Sequence, residues 1–220
     1  MVRKSTLDFL KKLKKNNNRE WFNANKKLYE DARYDFEVCV FDMIQELSDF
    51  DESVSGLEPK ECLFRIYRDV RFAKDKKPYK QNFAAAIQLN GRKSSKAGYY
   101  LHIEPGASML AGGIYMPMPD ILLAIRKLIA SNYKEYEKII SNKDFKKLFG
   151  EVWAGDDKLK TVPKGFEKDH PAAEHLKNKS FIAYKMLSDT EVLSKNFLNN
   201  SVKIFKAIKP FNDFINRALR

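Results

Sequence analysis

The sequence predicts an α+β fold in which an antiparallel sheet of at least four meander strands is covered by N- and C-terminal helices. Three observations support this fold class. Apolar residues recur with a helical period near both ends of the chain, they alternate with a period of two between residues 61 and 115, and short turns join the alternating segments. At 220 residues the chain fits one domain, and we interpret residues 1–220 as a single α+β domain.

Two helices are predicted before the sheet. Ser5 is a favourable N-cap for the first helix, which ends at the asparagine turn of residues 16–18. A long helix is predicted from about residue 25 to about residue 49, and its outer face carries most of an acidic block. One apolar stripe supports this helix: Phe36, Val40, Met43, Ile44 and Leu47.

The middle of the chain predicts four strands joined by short turns. Their ranges are about 61–67, 82–89, 99–104 and 109–115. A basic hairpin loop, GRKSSKAG, separates the second strand from the third. Gly112 and Gly113 lie inside the fourth strand, which indicates a bulge or a close approach to the backbone.

The C-terminal part predicts helices with one further strand. Pro119 opens a helix to about residue 130, and smaller helices are predicted at 133–140 and 143–149. Residues 181–185 alternate like an edge strand. The capping box from Ser188 to Glu191 opens another helix, which we expect Pro210 to interrupt.

The composition favours a globular, basic protein of the cytoplasm. The net charge is +12, and 44% of the residues are hydrophobic. Cys39 and Cys62 lie in apolar surroundings, as expected for reduced core thiols. The N-terminal sequence MVRKSTLDFLKKLKK has no apolar core of a signal peptide, so neither secretion nor a membrane partner is expected.

The charge is unevenly distributed along the chain. Residues 21–63 carry four basic and eleven acidic side chains, whereas residues 64–100 carry ten basic and two acidic ones. This arrangement indicates either an anion-binding face or two faces that dock on each other inside the fold.

The stretch FRIYRDVRFAKDKKPYK, residues 64–80, is the strongest candidate for a binding site. Arginine can meet two anion oxygens at once, lysine adds a point charge, and tyrosine can stack or donate a hydrogen bond. We therefore expect a small anionic or phosphorylated ligand in a pocket lined by arginine, lysine and tyrosine. The candidate ligand-binding residues are Arg65, Tyr67, Arg68, Arg71, Lys77, Tyr79 and Lys80.

Two other roles for this stretch stay open. Its arginines could instead be paired with carboxylates inside the fold, which would make the domain a structural or protein-interaction module. Arg68 would need such a partner, for example Asp69, Asp75 or Glu104, if it lies on the apolar face of the strand. Alternatively, the basic region 64–100, including Arg92, Lys93 and Lys96, could bind nucleic acid, although no known RNA- or DNA-binding signature is present.

Three segments together resemble a known family. They are FRIYRDVRFAKDKKPYK, YYLHIEPGASMLAGGIYMP and TVPKGFEKDHPAAEHLKNKSF. The chain is similar over nearly its whole length to the uncharacterised bacterial and fungal domain-of-unknown-function family 2461. The resemblance implies one domain, but it implies no reaction, no cofactor and no catalytic residue.

Two histidines are candidates for proton transfer if the protein is an enzyme, a question that the sequence leaves open. His102 shares a strand face with Tyr100 and Glu104, and a His–Glu pair can act as a general base. His170 precedes a predicted helix, where it could cap the helix or face a ligand. A metal set of His102, His170 and Glu104 is conceivable, but no close-spaced ligand motif supports it, so no metal is predicted. The cofactor and the oligomeric state stay open.

Overall fold

The computed structural model describes residues 2–155 and 158–219. Helices precede and follow the strands, in the order that the sequence predicts. In the described residues the α-helices are α1 (Lys4–Lys15), α2 (Arg19–Ala24), α3 (Lys26–Ser48), α4 (Pro59–Cys62), α5 (Pro119–Ser131), α6 (Tyr133–Ile140), α7 (Lys143–Phe149), α8 (Ala173–Leu176), α9 (Asp189–Val192) and α10 (Phe197–Arg217).

The predicted fold class is confirmed. Four antiparallel strands form one sheet in the order β1 (Phe83–Ile87), β2 (Gly98–Ile103), β3 (Ser108–Ile114) and β4 (Phe181–Leu187). A loop with one 3-10 turn (Gly91–Lys93) joins β1 to β2, a short turn joins β2 to β3, and the residues between β3 and β4 include helices α5 to α8. The sheet is therefore a meander whose last strand arrives late in the sequence.

The described residues group into two compact units. Unit 1 comprises the described residues up to Lys93, together with Tyr100–Leu110 and Met186–Val202. Unit 2 comprises Ser94–Tyr99, Ala111–Lys185 and the described residues from Lys203 onward. The single domain of residues 1–220 stays a prediction.

The core of unit 1 forms where α1 and α3 pack on β1. The Phe83 ring of β1 stacks on Phe9 of α1 at a centroid distance of 6.2 Å and on Phe36 of α3 at 5.5 Å. Asp35 of α3 is buried, and its carboxylate accepts hydrogen bonds from the Thr6 hydroxyl at 2.6 Å and the Arg3 backbone N–H at 2.8 Å. Because the buried carboxylate has these partners, α1 is held to α3 by polar as well as apolar contacts.

The core of unit 2 depends on the two glycines of β3. A Cβ atom on Gly112 would lie 2.2 Å from the side chain of Ile208 in α10. Gly113 has φ +115°, and a Cβ atom there would lie 2.0 Å from the Phe181 carbonyl oxygen of β4. The predicted close approach to the backbone is thus present at both glycines.

Four local predictions are wrong. Ser5 lies inside α1, whose N-cap is Arg3, and the capping box at Ser188 opens the short helix α9 rather than the helix that contains Pro210. Residues 61–67 do not form a strand. Pro59 and the capping box between Glu58 and Glu61 place residues 61 and 62 in helix α4, and residues 63–67 make only isolated bridges. Helix α10 also continues through Pro210, which lies on its exposed face between the buried residues Ile208 and Phe211. Burial on both sides of the proline keeps the helix in one piece despite the lost backbone donor.

No helix in the described part of the chain is both long and apolar enough to cross a membrane.

Candidate functional site

The basic stretch 64–80 folds as a narrow hairpin. Isolated antiparallel bridges pair Leu63 with Ala85 and Tyr67 with Tyr79. Within the hairpin, the Arg68 backbone N–H donates to the Pro78 carbonyl at 2.9 Å. The side-chain alternation is as predicted at its base, where Ile66 is buried and Tyr67 is exposed. The hairpin therefore presents Tyr67 to solvent without being part of a long strand.

An asparagine of the N-terminal turn anchors the returning arm of the hairpin. The Asn17 side-chain amide donates to the Tyr79 carbonyl at 3.0 Å, and its side-chain oxygen accepts from the Tyr79 N–H at 3.1 Å. The Tyr79 ring stacks on Phe22 of α2 at a centroid distance of 4.0 Å. These contacts fix Tyr79, which is 4% exposed.

A pocket of about 320 Å³ lies between this hairpin and α2. The Tyr67 ring is 48% exposed and lies 5.5 Å from the Tyr79 ring, centroid to centroid. This volume falls at the small end of the range for small-molecule sites. The pocket is lined by Arg19, Asn23, Tyr67, Arg68, Val70, Pro78 and Tyr79.

Two guanidinium groups line the pocket in different states of pairing. Arg68 Nη1 contacts Asp75 Oδ2 at 3.1 Å and donates to the Lys77 carbonyl at 2.9 Å. Arg19 is the first residue of α2, is exposed, and has no carboxylate partner in the part of the chain that the structure describes. Burial raises the pKa of Tyr79, the nearby Tyr67 raises it further, and Arg19 opposes this rise. Arg19 therefore acts electrostatically on the interior of the pocket.

The remaining cations of the stretch do not line the pocket. Arg71 makes a two-point contact with Asp69, at 3.0 Å from Nε to Oδ1 and 2.7 Å from Nη2 to Oδ2. Arg65 is exposed. Burial lowers the pKa of Lys80, and the positive charge of Arg65 lowers it further. Lys77 is exposed and enters the site only through its backbone carbonyl.

The structure thus brings together three of the seven predicted binding residues, Tyr67, Arg68 and Tyr79. It adds Arg19 and Asn23, which the sequence analysis missed. Both come from α2, far from the hairpin in sequence, and no local pattern marks them. The ion pairs of Arg68 and Arg71 are made inside the stretch itself rather than with the acidic helix α3.

A family model described as "Conserved hypothetical protein (DUF2461)" matches residues 5–214. The chain belongs to this family. Comparison with curated proteins and with solved structures gives no match. The membership confirms the resemblance predicted from the sequence and adds no reaction or ligand.

The histidine on β2 of this DUF2461 chain is held in a polar cluster. His102 Nε2 lies 3.1 Å from Glu104 Oε2, and Nδ1 lies 3.2 Å from the Tyr100 hydroxyl and 3.4 Å from Asn82 Nδ2. The Asn82 Nδ2 atom can only donate, so this contact fits the neutral tautomer in which Nδ1 accepts and Nε2–H donates to Glu104. Burial raises the pKa of Tyr100 to about 12, so its hydroxyl stays protonated. The predicted His–Glu pair is present, and its role in proton transfer stays a prediction.

His170 has a local backbone partner in unit 2. Its Nδ1 accepts a hydrogen bond from the Ala172 N–H at 3.0 Å, just before α8, and its ring packs edge-on against Tyr133. This is a local turn contact with Ala172, the N-cap residue of α8, and the predicted side-chain cap of the helix is not made. A catalytic role for His170 stays a prediction.

Across residues 2–155 and 158–219, no group of three histidine, cysteine or acidic residues could hold a metal ion.

The basic hairpin loop before β2 uses two of its three cations within the fold. Arg92 Nη1 donates to the carbonyls of Lys60 at 2.8 Å and Glu61 at 2.9 Å. Lys96 Nζ donates to the Leu219 carbonyl in unit 2. Lys93 is exposed.

Proposed function

We propose that this protein binds a small anionic ligand, such as a phosphorylated metabolite, in the pocket between α2 and the hairpin. The observation that carries the proposal is the convergence of Arg19 and Arg68 on one pocket beside a half-exposed tyrosine. Arg19 contributes a charge that no carboxylate of the described chain neutralises. An incoming phosphate or carboxylate would supply the missing partner.

The charges of the pocket favour an anion over a neutral ligand. Asp75 offsets Arg68, which leaves the charge of Arg19 in excess. The contact between Arg68 and Asp75 also holds the Arg68 guanidinium in place, and a prearranged donor loses little freedom when a ligand binds. Arg68 therefore serves as a positioned donor, and Arg19 as the main source of charge.

The exposed aromatic ring of Tyr67 indicates a second feature of the ligand. Tyr67 rests against Tyr79 and Phe22, so its exposed ring is a fixed surface on which a planar group can stack. The Asn23 amide and the tyrosine hydroxyls add hydrogen-bond donors for phosphate or sugar oxygens. We infer an anionic group joined to a planar or sugar moiety.

The proposal concerns binding rather than turnover. The side chains lining the pocket include no histidine, aspartate or glutamate to transfer a proton. A nucleic-acid role for region 64–100 has less support, because Arg92 and Lys96 already donate to backbone carbonyls. The buried, free cysteines Cys39 and Cys62 support placing the protein in the reducing cytoplasm.

The test is a titration of the native protein with phosphate, sulfate and adenosine monophosphate, followed by thermal shift and calorimetry. At least one of these anions is expected to raise the melting temperature. Arg19→Ala should weaken binding about tenfold or more, since a charged hydrogen bond contributes roughly 1.5–3 kcal/mol. Arg19→Ala is a cleaner variant than Arg68→Ala because, among the described residues, Arg19 has no ion pair to lose.

Arg71→Ala is the matched control. It removes the same charge as Arg19→Ala, but from a hairpin side chain that lies outside the pocket and is ion-paired with Asp69. The proposal is wrong if none of the three anions stabilises the native protein, or if Arg71→Ala weakens binding as much as Arg19→Ala does. Tyr67→Ala should weaken the binding of adenosine monophosphate more than the binding of phosphate. This difference separates the contribution of stacking from that of charge recognition.

A further inference from the structure

Helix α3 carries an apolar stripe on the side opposite its core. Tyr34 is 65% exposed, Val38 is 41% exposed and Phe41 is 49% exposed. Their spacing of four and then three residues places them on one line along the helix. Scattered single apolar residues are ordinary on a protein surface, but a continuous stripe indicates a contact surface.

Carboxylates border this stripe along its own part of the helix. Residues 34–49 contain no lysine or arginine. At 100° per residue, Glu37 lies on one side of the stripe and Asp42 and Asp49 lie on the other. No ion pair of these three carboxylates is found in the described part of the chain. The stripe with its carboxylates is called the α3 outer face below.

The hairpin of the candidate site ends in a loop of the opposite character, the basic tip (residues 69–77). Its Phe72 side chain is 95% exposed. The tip contains four cations and two anions. Arg71 lies beside the Phe72 ring, with Cζ 5.9 Å from the centroid, and Lys74 follows two residues later. Arg71 is also ion-paired with Asp69, so the tip presents an aromatic side chain on a loop whose net formal charge is +2.

The tip is held in shape by its own contacts. Lys76 Nζ donates to the Val70 carbonyl at 3.1 Å and to the Arg71 carbonyl at 3.3 Å. The Asp75 side chain accepts from the Lys77 N–H at 3.1 Å and also contacts Arg68. A preorganised loop loses less conformational entropy on binding than a flexible one does. Such an exposed phenylalanine is suited to act as an anchor.

We infer that the basic tip of one chain docks on the α3 outer face of a second copy of the chain. Charge complementarity supports this partner, since cations flank Phe72 and carboxylates flank Tyr34, Val38 and Phe41. The contact uses neither Arg19 nor Arg68, so it does not depend on the proposed anion pocket.

The apolar stripe is too short for a partner helix and long enough for a single aromatic side chain. From residue 34 to residue 41 the helix rises only about 10 Å. A long partner helix would need apolar contacts over several more turns. One aromatic side chain with a cation on each side fits this length. Because the two surfaces differ, the contact is heterologous and joins copies head to tail.

Sedimentation velocity on the full chain tests the inference over a range of protein concentrations. The native protein is expected to self-associate at low salt and to dissociate as salt rises from 50 to 500 mM, because the flanking charges are exposed. Phe72→Ser should raise the dissociation constant about tenfold or more. Met118→Ser is the matched control, since it removes another exposed apolar side chain, 67% exposed, from neither surface.

Mixing two variants separates a head-to-tail contact from a symmetric one. Phe72→Ser keeps the α3 outer face, and Phe41→Ser keeps the basic tip. Each variant alone should be monomeric, and their mixture should form a one-to-one dimer. If Phe41→Ser has a lowered melting temperature, Glu37→Lys is used instead as the variant with an altered α3 outer face.

Three results would overturn the inference. The native protein could be monomeric at every concentration and salt, which would leave the two surfaces to other partners. Phe72→Ser could self-associate as strongly as the native protein, which would indicate face-to-face packing of α3. The mixture of the two variants could stay monomeric although both are folded.

Discussion

Replacing Asn17 with alanine tests how the N-terminal turn supports the candidate pocket. Asn17 makes two hydrogen bonds to the backbone of Tyr79, at 3.0 and 3.1 Å, and its side chain is half-buried. Each such bond contributes about 0.5–1.5 kcal/mol, so the variant should lose about 1–3 kcal/mol of unfolding free energy. For a chain of this size the melting temperature should fall by roughly 2–12 °C.

Asn16→Ala provides the matched control. The Asn16 amide makes one exposed bond to the Lys12 carbonyl at 3.0 Å, so its loss should cost less than about 0.5 kcal/mol. Urea denaturation measures both variants. Asn17→Ala should also weaken anion binding, because Tyr79 loses its backbone anchor. Equal stability of the two variants would refute the argument that Asn17 holds the hairpin in place.

Three further predictions concern the rest of the fold. Gly113→Ala should destabilise the protein by about 3 kcal/mol or more in urea denaturation, because its Cβ would collide with a backbone carbonyl of β4. Gly165→Ala, at a positive φ in open space, should cost only about 1 kcal/mol. A backbone N–H and a lysine of α1 lower the pKa of Asp189. The stability that this carboxylate adds is therefore present above its unfolded pKa and is lost as the pH falls through its folded pKa. The stability difference between the native protein and Asp189→Asn should vanish in acid; a difference that stays constant with pH would contradict this. Burial raises the pKa of Cys39 to about 12 and that of Cys62 to about 11, so neither thiol should react with a thiol reagent at pH 8 until the protein is unfolded. Rapid labelling of the folded protein would contradict this prediction.

The elements with strong periodicity could be predicted from the sequence. The long helix predicted at 25–49 is Lys26–Ser48, and the small helices predicted at 133–140 and 143–149 have those bounds. The edge strand predicted at 181–185 is β4 (Phe181–Leu187). In each of these segments the local pattern and the tertiary burial agree, so local reasoning suffices.

The failures occurred where two local signals competed. The alternation of residues 61–67 indicated a strand, but Pro59 with Glu58 and Glu61 carries the signature of a helix start, which the structure follows. Pro210 predicted a break in the helix. Burial of its neighbours in α10 stabilises the helix by more than the missing backbone hydrogen bond costs. A closer look for capping boxes could have corrected the first error but not the second.

The candidate site was only partly predictable. The basic stretch revealed Tyr67, Arg68 and Tyr79 by their chemistry. Arg19 and Asn23 join them through folding, because α2 packs its Phe22 on the Tyr79 ring. Contacts between residues so far apart leave no trace in local composition. Which arginines line the pocket could be decided only from the geometry.

The most direct test of the anion pocket is a crystal of the native protein soaked in tungstate, an electron-dense analogue of phosphate. The account predicts an anomalous peak within hydrogen-bond distance of both Arg19 and Arg68, beside the Tyr67 ring. A peak only at Arg65 and Lys80, or none in the pocket at a concentration that stabilises the protein in solution, would contradict it.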